Sequence, residues 1–235
     1  MKAQHNLRGQ VAPLLEKVAA QIRFKFKSQD LAREKFLGLS RELIRFSSYA
    51  IRAIHRRELV EARDNLSKAR GNMAKLKAML KDYPEAFYNL AYDSQKEYAE
   101  ACLTLALTTD GKIQSPEDLE VGYAAYLNGM GEAVGEMRRY LLDNLRRGEL
   151  DPCEDILSTM DDIYGVLVTM DFPDALTGGL RRTTDLVRGI LERTRGDLTQ
   201  ALSQKKLEDK ILGLVNTGKA SGRARSSGRR LGNHM

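Results

Sequence analysis

Residues 126–139 read YLNGMGEAVGEMRR, and this stretch carries the strongest local signals in the chain. Glu132 and Glu136 lie four residues apart, so a helix places both on one face. The stretch also contains three glycines: Gly129, Gly131 and Gly135. Each glycine costs about 1 kcal/mol relative to alanine inside a helix. We expect these small residues to let a second protein backbone, or a nucleic-acid backbone, approach the carboxylates; a kink is the competing explanation.

The sequence on both sides of this stretch is also typical of helices. Leu, Ala, Lys, Arg and Glu dominate the 235 residues, almost no segment alternates with period two, and only five prolines occur. We therefore predict an all-α fold, an elongated bundle of six to seven helices. The six helices that the pattern indicates are Val11–Arg57, Leu59–Lys81, Pro84–Thr108, Pro116–Arg147, Pro152–Met170 and Leu180–Leu212.

The last predicted helix has a long apolar seam. Its members recur at nearly heptad spacing: Leu180, Val187, Leu191, Thr194, Leu198 and Ala201. Such a seam indicates ordinary bundle core, and contact with a second subunit is the alternative.

Composition bounds the domain organisation and excludes several classes of protein. With 42% hydrophobic and 30% charged residues, the chain suits one domain over residues 1–216. Residues 217–235, rich in Gly, Ser and Arg, predict a disordered basic tail. The longest apolar stretch, 101–107, is too short to span a membrane, so we expect a soluble cytoplasmic protein without a membrane partner. The chain has two cysteines and three histidines, too few for a disulfide framework or a Cys/His zinc cluster, which argues against thiol and zinc chemistry.

Charge is distributed unevenly along the chain. Residues 2–57 carry 13 basic and 4 acidic side chains, whereas residues 58–216 carry 20 basic and 28 acidic ones. Within the basic segment, spacings of 4, 7 and 4 place four arginines on one helical face, which we call the arginine stripe: Arg41, Arg45, Arg52 and Arg56. Such a stripe predicts binding to nucleic-acid phosphates, and a solvated charged face is the alternative. Three nearby aromatic residues are candidates either for base stacking or for core: Phe36, Phe46 and Tyr49.

Paired carboxylates on the third and fourth predicted helices are the candidates for chemistry. Glu97 and Glu100 lie at i,i+3, and Glu132 and Glu136 at i,i+4, so each pair occupies one helical face. If the two faces meet, four carboxylates converge and require a cation, and oxygen ligands favour Mg²⁺ or Mn²⁺. The alternative is that the glutamates coat exposed surface and pair with nearby basic residues: Lys96, Arg138 or Arg139.

Four stretches together resemble the translin superfamily. They are SRELIRFSSYAIRAIHR (40–56), QKEYAEA (95–101), YLNGMGEAVGEMRR (126–139) and LRRTTDLVRGILERTRGDLT (180–199). The order of the motifs matches over about residues 20–205, and the chain is more similar to translin-associated factor X (Trax) than to translin. The resemblance implies a translin-like subunit of about seven helices in a hollow octameric barrel. Trax-type subunits are Mg²⁺-dependent endoribonucleases that cut single-stranded RNA or nicked duplexes, whereas translin-type subunits bind RNA or single-stranded DNA without cutting.

The Trax resemblance also implies roles for individual residues. Its acidic site falls on Glu97, Glu100, Glu132 and Glu136, which gives these four residues the catalytic and metal-ligating roles; Trax has Asp at the position of Glu132. Because the acidic set is complete, the resemblance implies a catalytic subunit, an endoribonuclease that acts through Mg²⁺ or Mn²⁺. Because the chain carries both the arginine stripe and the acidic set, we expect a homo-oligomer, with the octamer as its state. A scaffold that binds RNA or single-stranded DNA without cutting is the first alternative, and a purely structural helical oligomer is the second.

Overall fold

The computed structural model describes residues 6–109 and 111–227, and within these residues the chain forms eight helices and no strand. The predicted all-α fold is confirmed. The helices are α1 (Asn6–His55), α2 (Leu59–Asp82), α3 (Pro84–Thr108), α4 (Pro116–Leu119), α5 (Tyr123–Arg147), α6 (Cys153–Val168), α7 (Asp174–Thr177) and α8 (Leu180–Ser227).

The fourth predicted helix is divided in the structure into α4 and α5. Ser115 caps α4 by accepting a hydrogen bond from the backbone nitrogen of Asp118, whose side chain accepts one from the Ser115 backbone nitrogen. Glu120 then adopts a left-handed conformation with φ of 60°, which ends the short helix. The chain begins α5 after Gly122. The prediction of one continuous helix over residues 116–147 was therefore wrong at this turn.

The two terminal helices are longer than predicted. Helix α1 begins at Asn6, before the predicted start at Val11, and contains Pro13. Helix α8 continues beyond Leu212 to Ser227, so its backbone includes residues 217–227 of the predicted tail. Residues 228–235 of that tail lie outside the described residues, and the division of the chain at residue 216 stays a prediction.

Helices α3 and α5 lie at the centre of the bundle and join two cores. Helices α1, α2 and α3 form the first core, and α5, α6 and α8 form the second. Helix α5 contributes to both, because Ala133 packs in the first core and the adjacent Val134 packs in the second. The α8 seam is core, as predicted, and five of its members are at most 3% exposed: Leu180, Val187, Leu191, Thr194 and Leu198.

The first part of α1 lies outside both cores. Eight large apolar side chains are exposed along it: Val11, Leu14, Leu15, Val18, Ile22, Phe24, Phe26 and Leu31. Buried positions begin at Phe36, where α1 starts to pack against α2 and α3. Among the described residues, no helix is long and apolar enough to cross a membrane.

Candidate metal centre and nucleic-acid interface

Three glutamates meet where α3 packs against α5. Glu97 and Glu100 extend from α3 and Glu132 from α5, and each offers a carboxylate oxygen within 4.8 Å of the other two. We call these three residues the acidic cluster. Glu100 is only 9% exposed, and the other two are half-buried. Three carboxylate oxygens this close together can share one divalent cation.

Gly129 sets the distance between the two helices that carry the acidic cluster. A Cβ atom at this position would lie 2.6 Å from the carbonyl oxygen of Lys96 and 3.0 Å from the backbone nitrogen of Glu100. Only glycine therefore allows the backbones of α3 and α5 to approach this closely. The expected approach of a second protein backbone is confirmed at this position, three residues before Glu132.

The other two glycines of the stretch differ from Gly129. A Cβ atom at Gly131 would clash with the Thr183 Cγ2 of α8, so this glycine makes room for a side chain of α8. A Cβ atom at Gly135 would have no neighbour within 4 Å. Close packing therefore accounts for Gly129 and Gly131, and nothing in the structure explains Gly135.

Burial makes the charge of the acidic cluster energetically unfavourable. It raises the pKa of Glu100 to about 8, with further contributions from the charges of Glu132, Glu97 and Glu136. Burial, followed by the charge of Glu132, also raises the pKa of Glu97. A cation placed among these oxygens would relieve both effects. The electrostatics are therefore those of a site that favours a cation.

Lys96 supplies one positive charge at the edge of the acidic cluster. Its Nζ lies 2.5 Å from the Glu132 Oε1. Burial lowers the pKa of Lys96, but the hydrogen bond to Glu132 and the nearby carboxylates outweigh burial and raise it. Glu132 therefore pairs with a basic residue, as the alternative prediction for the glutamates stated. Arg138, by contrast, binds Asp197 and Thr194 of α8 instead of the acidic cluster.

Glu136 lies one turn beyond Glu132 and is outside the group of three. Its Oε2 contacts the Nε2 of His55, the last residue of α1. The His55 side chain is 4% exposed, and that of Glu136 is 24% exposed. Glu136 nevertheless lies close enough to act on the pKa of Glu100. The structure thus brings together three of the four predicted carboxylates and gives the fourth a histidine partner.

All four side chains of the arginine stripe are exposed. The first three lie on α1, whereas Arg56 follows its last residue, because α1 ends at His55 and not at the predicted Arg57. The Arg45 guanidinium lies 3.6 Å from Glu42, and Arg56 binds both Glu58 and Glu61. These ion pairs are solvent-exposed and contribute little stability. The stripe therefore remains accessible to an anionic ligand that replaces these contacts.

The three aromatic residues near the arginine stripe have different environments. Phe36 is fully buried in the first core, and Phe46 is half-buried against it. Tyr49 is 41% exposed, and the Arg52 guanidinium carbon lies 5.5 Å from its ring centroid. Phe36 is therefore a core residue, which is the second of the two predicted roles, and Tyr49 is the most exposed of the three.

The contacts of the arginine stripe lie on the side of α2. Arg56 binds Glu61 of α2. The Phe46 ring has the Arg45 guanidinium carbon at 5.3 Å from its centroid and the Lys68 Nζ of α2 at 5.9 Å. Helix α1 reaches α5 at its last residue, where His55 contacts Glu136.

Comparisons with known proteins identify the family. No family model matches the chain. An uncharacterized protein of Methanocaldococcus jannaschii is 32% identical over 186 residues, which cover 78% of this chain and 82% of that protein. The archaeal AfC3PO, solved in complex with duplex RNA, is 36% identical with a TM-score of 0.75, and the match covers 79% of this chain and 97% of AfC3PO. C3PO proteins are translin- and Trax-like. The chain belongs to the translin superfamily.

Two further structures agree with membership of the translin superfamily. A crystal structure of AfC3PO alone is 35% identical, with a TM-score of 0.74. NeC3PO, from Neurospora, is 21% identical, with a TM-score of 0.71 over 78% of this chain and 96% of its own. At that identity the likeness to NeC3PO shows the fold alone.

One contact of the site in this translin-superfamily chain was not predicted from its sequence. His55 received no chemical role, yet it binds a predicted ligand across 81 positions of sequence. No local spacing encodes such a contact, because it depends on how the end of α1 packs against α5.

Proposed function

We propose that this protein is a Mg²⁺- or Mn²⁺-dependent endoribonuclease that cuts single-stranded or nicked RNA. The observation that carries the proposal is the acidic cluster, in which three carboxylates from two helices each offer an oxygen within 4.8 Å of the other two. The similarity to AfC3PO, which was solved with duplex RNA, supports RNA as the ligand. Single-stranded DNA offers the same phosphates and is the second ligand to test.

The residues of the site fit a hard divalent cation. Glu97, Glu100 and Glu132 would hold it, because each offers carboxylate oxygen and none offers sulfur or imidazole. The raised pKa of Glu100 fits the same conclusion, since a cation stabilises the ionised form that burial disfavours. When bound, such an ion polarises the phosphate and lowers the pKa of an attacking water.

The side chains of the protein position the strand. The arginine stripe would hold consecutive phosphates through the nucleic-acid backbone, which gives little sequence preference. Histidine-driven cleavage would leave a 2′,3′-cyclic phosphate, but the described part of the chain contains one histidine, and its Nε2 binds Glu136. We therefore expect products with a 3′-hydroxyl and a 5′-phosphate, which end-group analysis would identify.

A binding-only function is the second candidate. The Lys96 contact with Glu132 supports it, because an ammonium at this position partly neutralises the acidic cluster without a metal. In that case the arginine stripe would bind RNA or single-stranded DNA, and the carboxylates would have no role in chemistry.

Cleavage of a labelled single-stranded RNA separates the two candidates. We expect cleavage with Mg²⁺, none with EDTA, and a loss of at least about 100-fold in Glu132→Ala. Glu192→Ala is the matched control, since Glu192 is an exposed glutamate of α8 whose partner is Arg188. RNA binding without cleavage would favour the scaffold, and cleavage that resists both EDTA and Glu132→Ala would contradict the metal assignment.

We further propose a homo-oligomer, with an octamer as the expected state. The exposed apolar side chains of α1 support this assembly, because large apolar surfaces of this kind mark interfaces. The same chain also carries both the arginine stripe and the acidic residues, so a second type of subunit is not required. Light scattering should give a mass several times 26.4 kDa, and a monomeric mass would contradict the proposal.

A further inference from the structure

His55 is the buried polar residue next to the acidic cluster for which the proposed function has no use. It ends α1, where Ala53 and Ile54 pack against Ala62 of α2 in a small core of their own. The ring is therefore held in place by burial on the first-core side of the molecule. Its Nε2 extends across to Glu136 of α5.

The two ring nitrogens of His55 differ in their hydrogen bonding. Within the described residues, its buried Nδ1 has no hydrogen-bond partner, while its Nε2 binds the carboxylate. The polar contact that this ring makes is thus directed at one carboxylate.

Glu136 is suited to receive such a contact. A carboxylate has two oxygens, and the bond from His55 occupies Oε2, which leaves Oε1 for another partner. Glu136 lies one helical turn after Glu132, on the same face of α5 as that member of the acidic cluster. Its charge also acts on Glu100. Glu136 is therefore beside the cluster, and its orientation is fixed from α1.

We infer that His55 is a positioning residue that holds Glu136 as the fourth carboxylate of the divalent-metal site, an inference that rests on the proposed function. Ligating carboxylates commonly receive a hydrogen bond from an outer residue, and loss of that residue weakens metal affinity by about 10- to 100-fold. In this arrangement the end of α1 orients Glu136, and α3 and α5 supply the other three carboxylates.

The test measures Mn²⁺ binding by calorimetry with the metal-free, full-length protein. His55→Leu removes the donor, and His55→Gln keeps an amide N–H near the position of Nε2. We expect Leu to weaken Mn²⁺ binding by about 10- to 100-fold and Gln to restore most of the affinity. Glu136→Gln should weaken binding to a similar extent, and adding His55→Leu to it should cause no further loss.

Arg57→Ala is the matched structural control. Arg57 also joins the turn after α1 to the α5 side of the bundle, since its Nη2 donates to the Asn144 Oδ1 at 2.8 Å and it pairs with Glu149. Its loss should lower the melting temperature without changing Mn²⁺ affinity. If His55→Leu does not fold, His55→Asn replaces it, because the shorter amide cannot reach the position of Nε2.

Three results would overturn the inference, and failure of the role of His55 can be told apart from failure of the proposed function. Unchanged Mn²⁺ affinity in a folded His55→Leu, or losses that add in the double variant, would contradict the role of His55 alone. A wild-type protein that binds no Mn²⁺ would contradict the proposed function and this inference together.

Discussion

The acidic cluster and the arginine stripe carry opposite charges, and they differ most in their surroundings. The acids lie between two packed helices, where burial raises the pKa of Glu100 to about 8. The arginines lie on an exposed helical face, where water already stabilises their charge. Ionisation of the acidic cluster therefore lowers the free energy of unfolding of the metal-free protein, whereas the charges of the arginine stripe hardly change it. The proposed function therefore assigns a divalent cation to the acidic cluster and a ligand from solution to the arginine stripe.

The largest expected effect is on the stability of the acidic cluster. The raised pKa of Glu100 means that this group stabilises the metal-free fold fully below about pH 4.5 and that this stability is lost as the pH rises through about 8. Unfolding in urea with EDTA should show Glu100→Gln more stable than wild type at pH 9, on the order of 3 kcal/mol, and much closer to it at pH 4.5. Glu192→Gln should match wild type at both pH values. If the free energy of unfolding depended on pH in the same way in all three proteins, burial would not distinguish the acidic cluster from exposed charges.

The second prediction concerns the arginine stripe. Replacing all four arginines with alanine should weaken binding of single-stranded RNA by roughly 10- to 100-fold and flatten its salt dependence by up to about 3 in the log–log slope. Fluorescence anisotropy at several KCl concentrations measures both. The matched control replaces four exposed arginines of α8: Arg181, Arg182, Arg188 and Arg193. If the control loses as much affinity as the stripe variant, general positive charge explains the binding and the stripe has no special role.

A third prediction tests the helix contact that holds the acidic cluster together. Gly129→Ala would place a methyl group against the backbone of α3, so it should destabilise the fold by about 1–3 kcal/mol in spite of alanine's better helix propensity. Mn²⁺ affinity should fall with it, because α3 and α5 must separate. A variant of wild-type stability and affinity would show that this contact does not fix the cluster.

The smallest effect is expected at Gly135, on the same helix. Its Cβ position is open, so Gly135→Ala should stabilise the protein by about 0.5–1 kcal/mol through helix propensity alone. Thermal unfolding measures the change. Destabilisation would mean that a contact in the assembled protein occupies the space beside Gly135.

Helices with clear boundary signals were predictable from the sequence. Helix α3 has the predicted bounds, Pro84 to Thr108, because a proline begins it and its periodicity is uninterrupted. The division between α4 and α5 was not predictable, since it depends on a left-handed Glu120, and glutamate gives no signal for that conformation.

The candidate site was predictable in part for a related reason. Spacing places Glu97 with Glu100, and Glu132 with Glu136, on common faces, but it does not determine whether the faces meet. The close approach of α3 and α5 depends on Gly129. The sequence indicated it only indirectly, because a glycine inside a helix lowers stability and so needs a compensating contact. The contact between His55 and Glu136 has no sequence signal, because two residues in separate helices become neighbours only through packing.

The central claim is that the carboxylates of α3 and α5 share a divalent cation. Anomalous diffraction from a crystal soaked in Mn²⁺ tests it most directly. We predict a peak within about 2.0–2.5 Å of oxygens from Glu97, Glu100 and Glu132. A fully soaked crystal with no peak there, with the Lys96 ammonium still bound to Glu132, would contradict it.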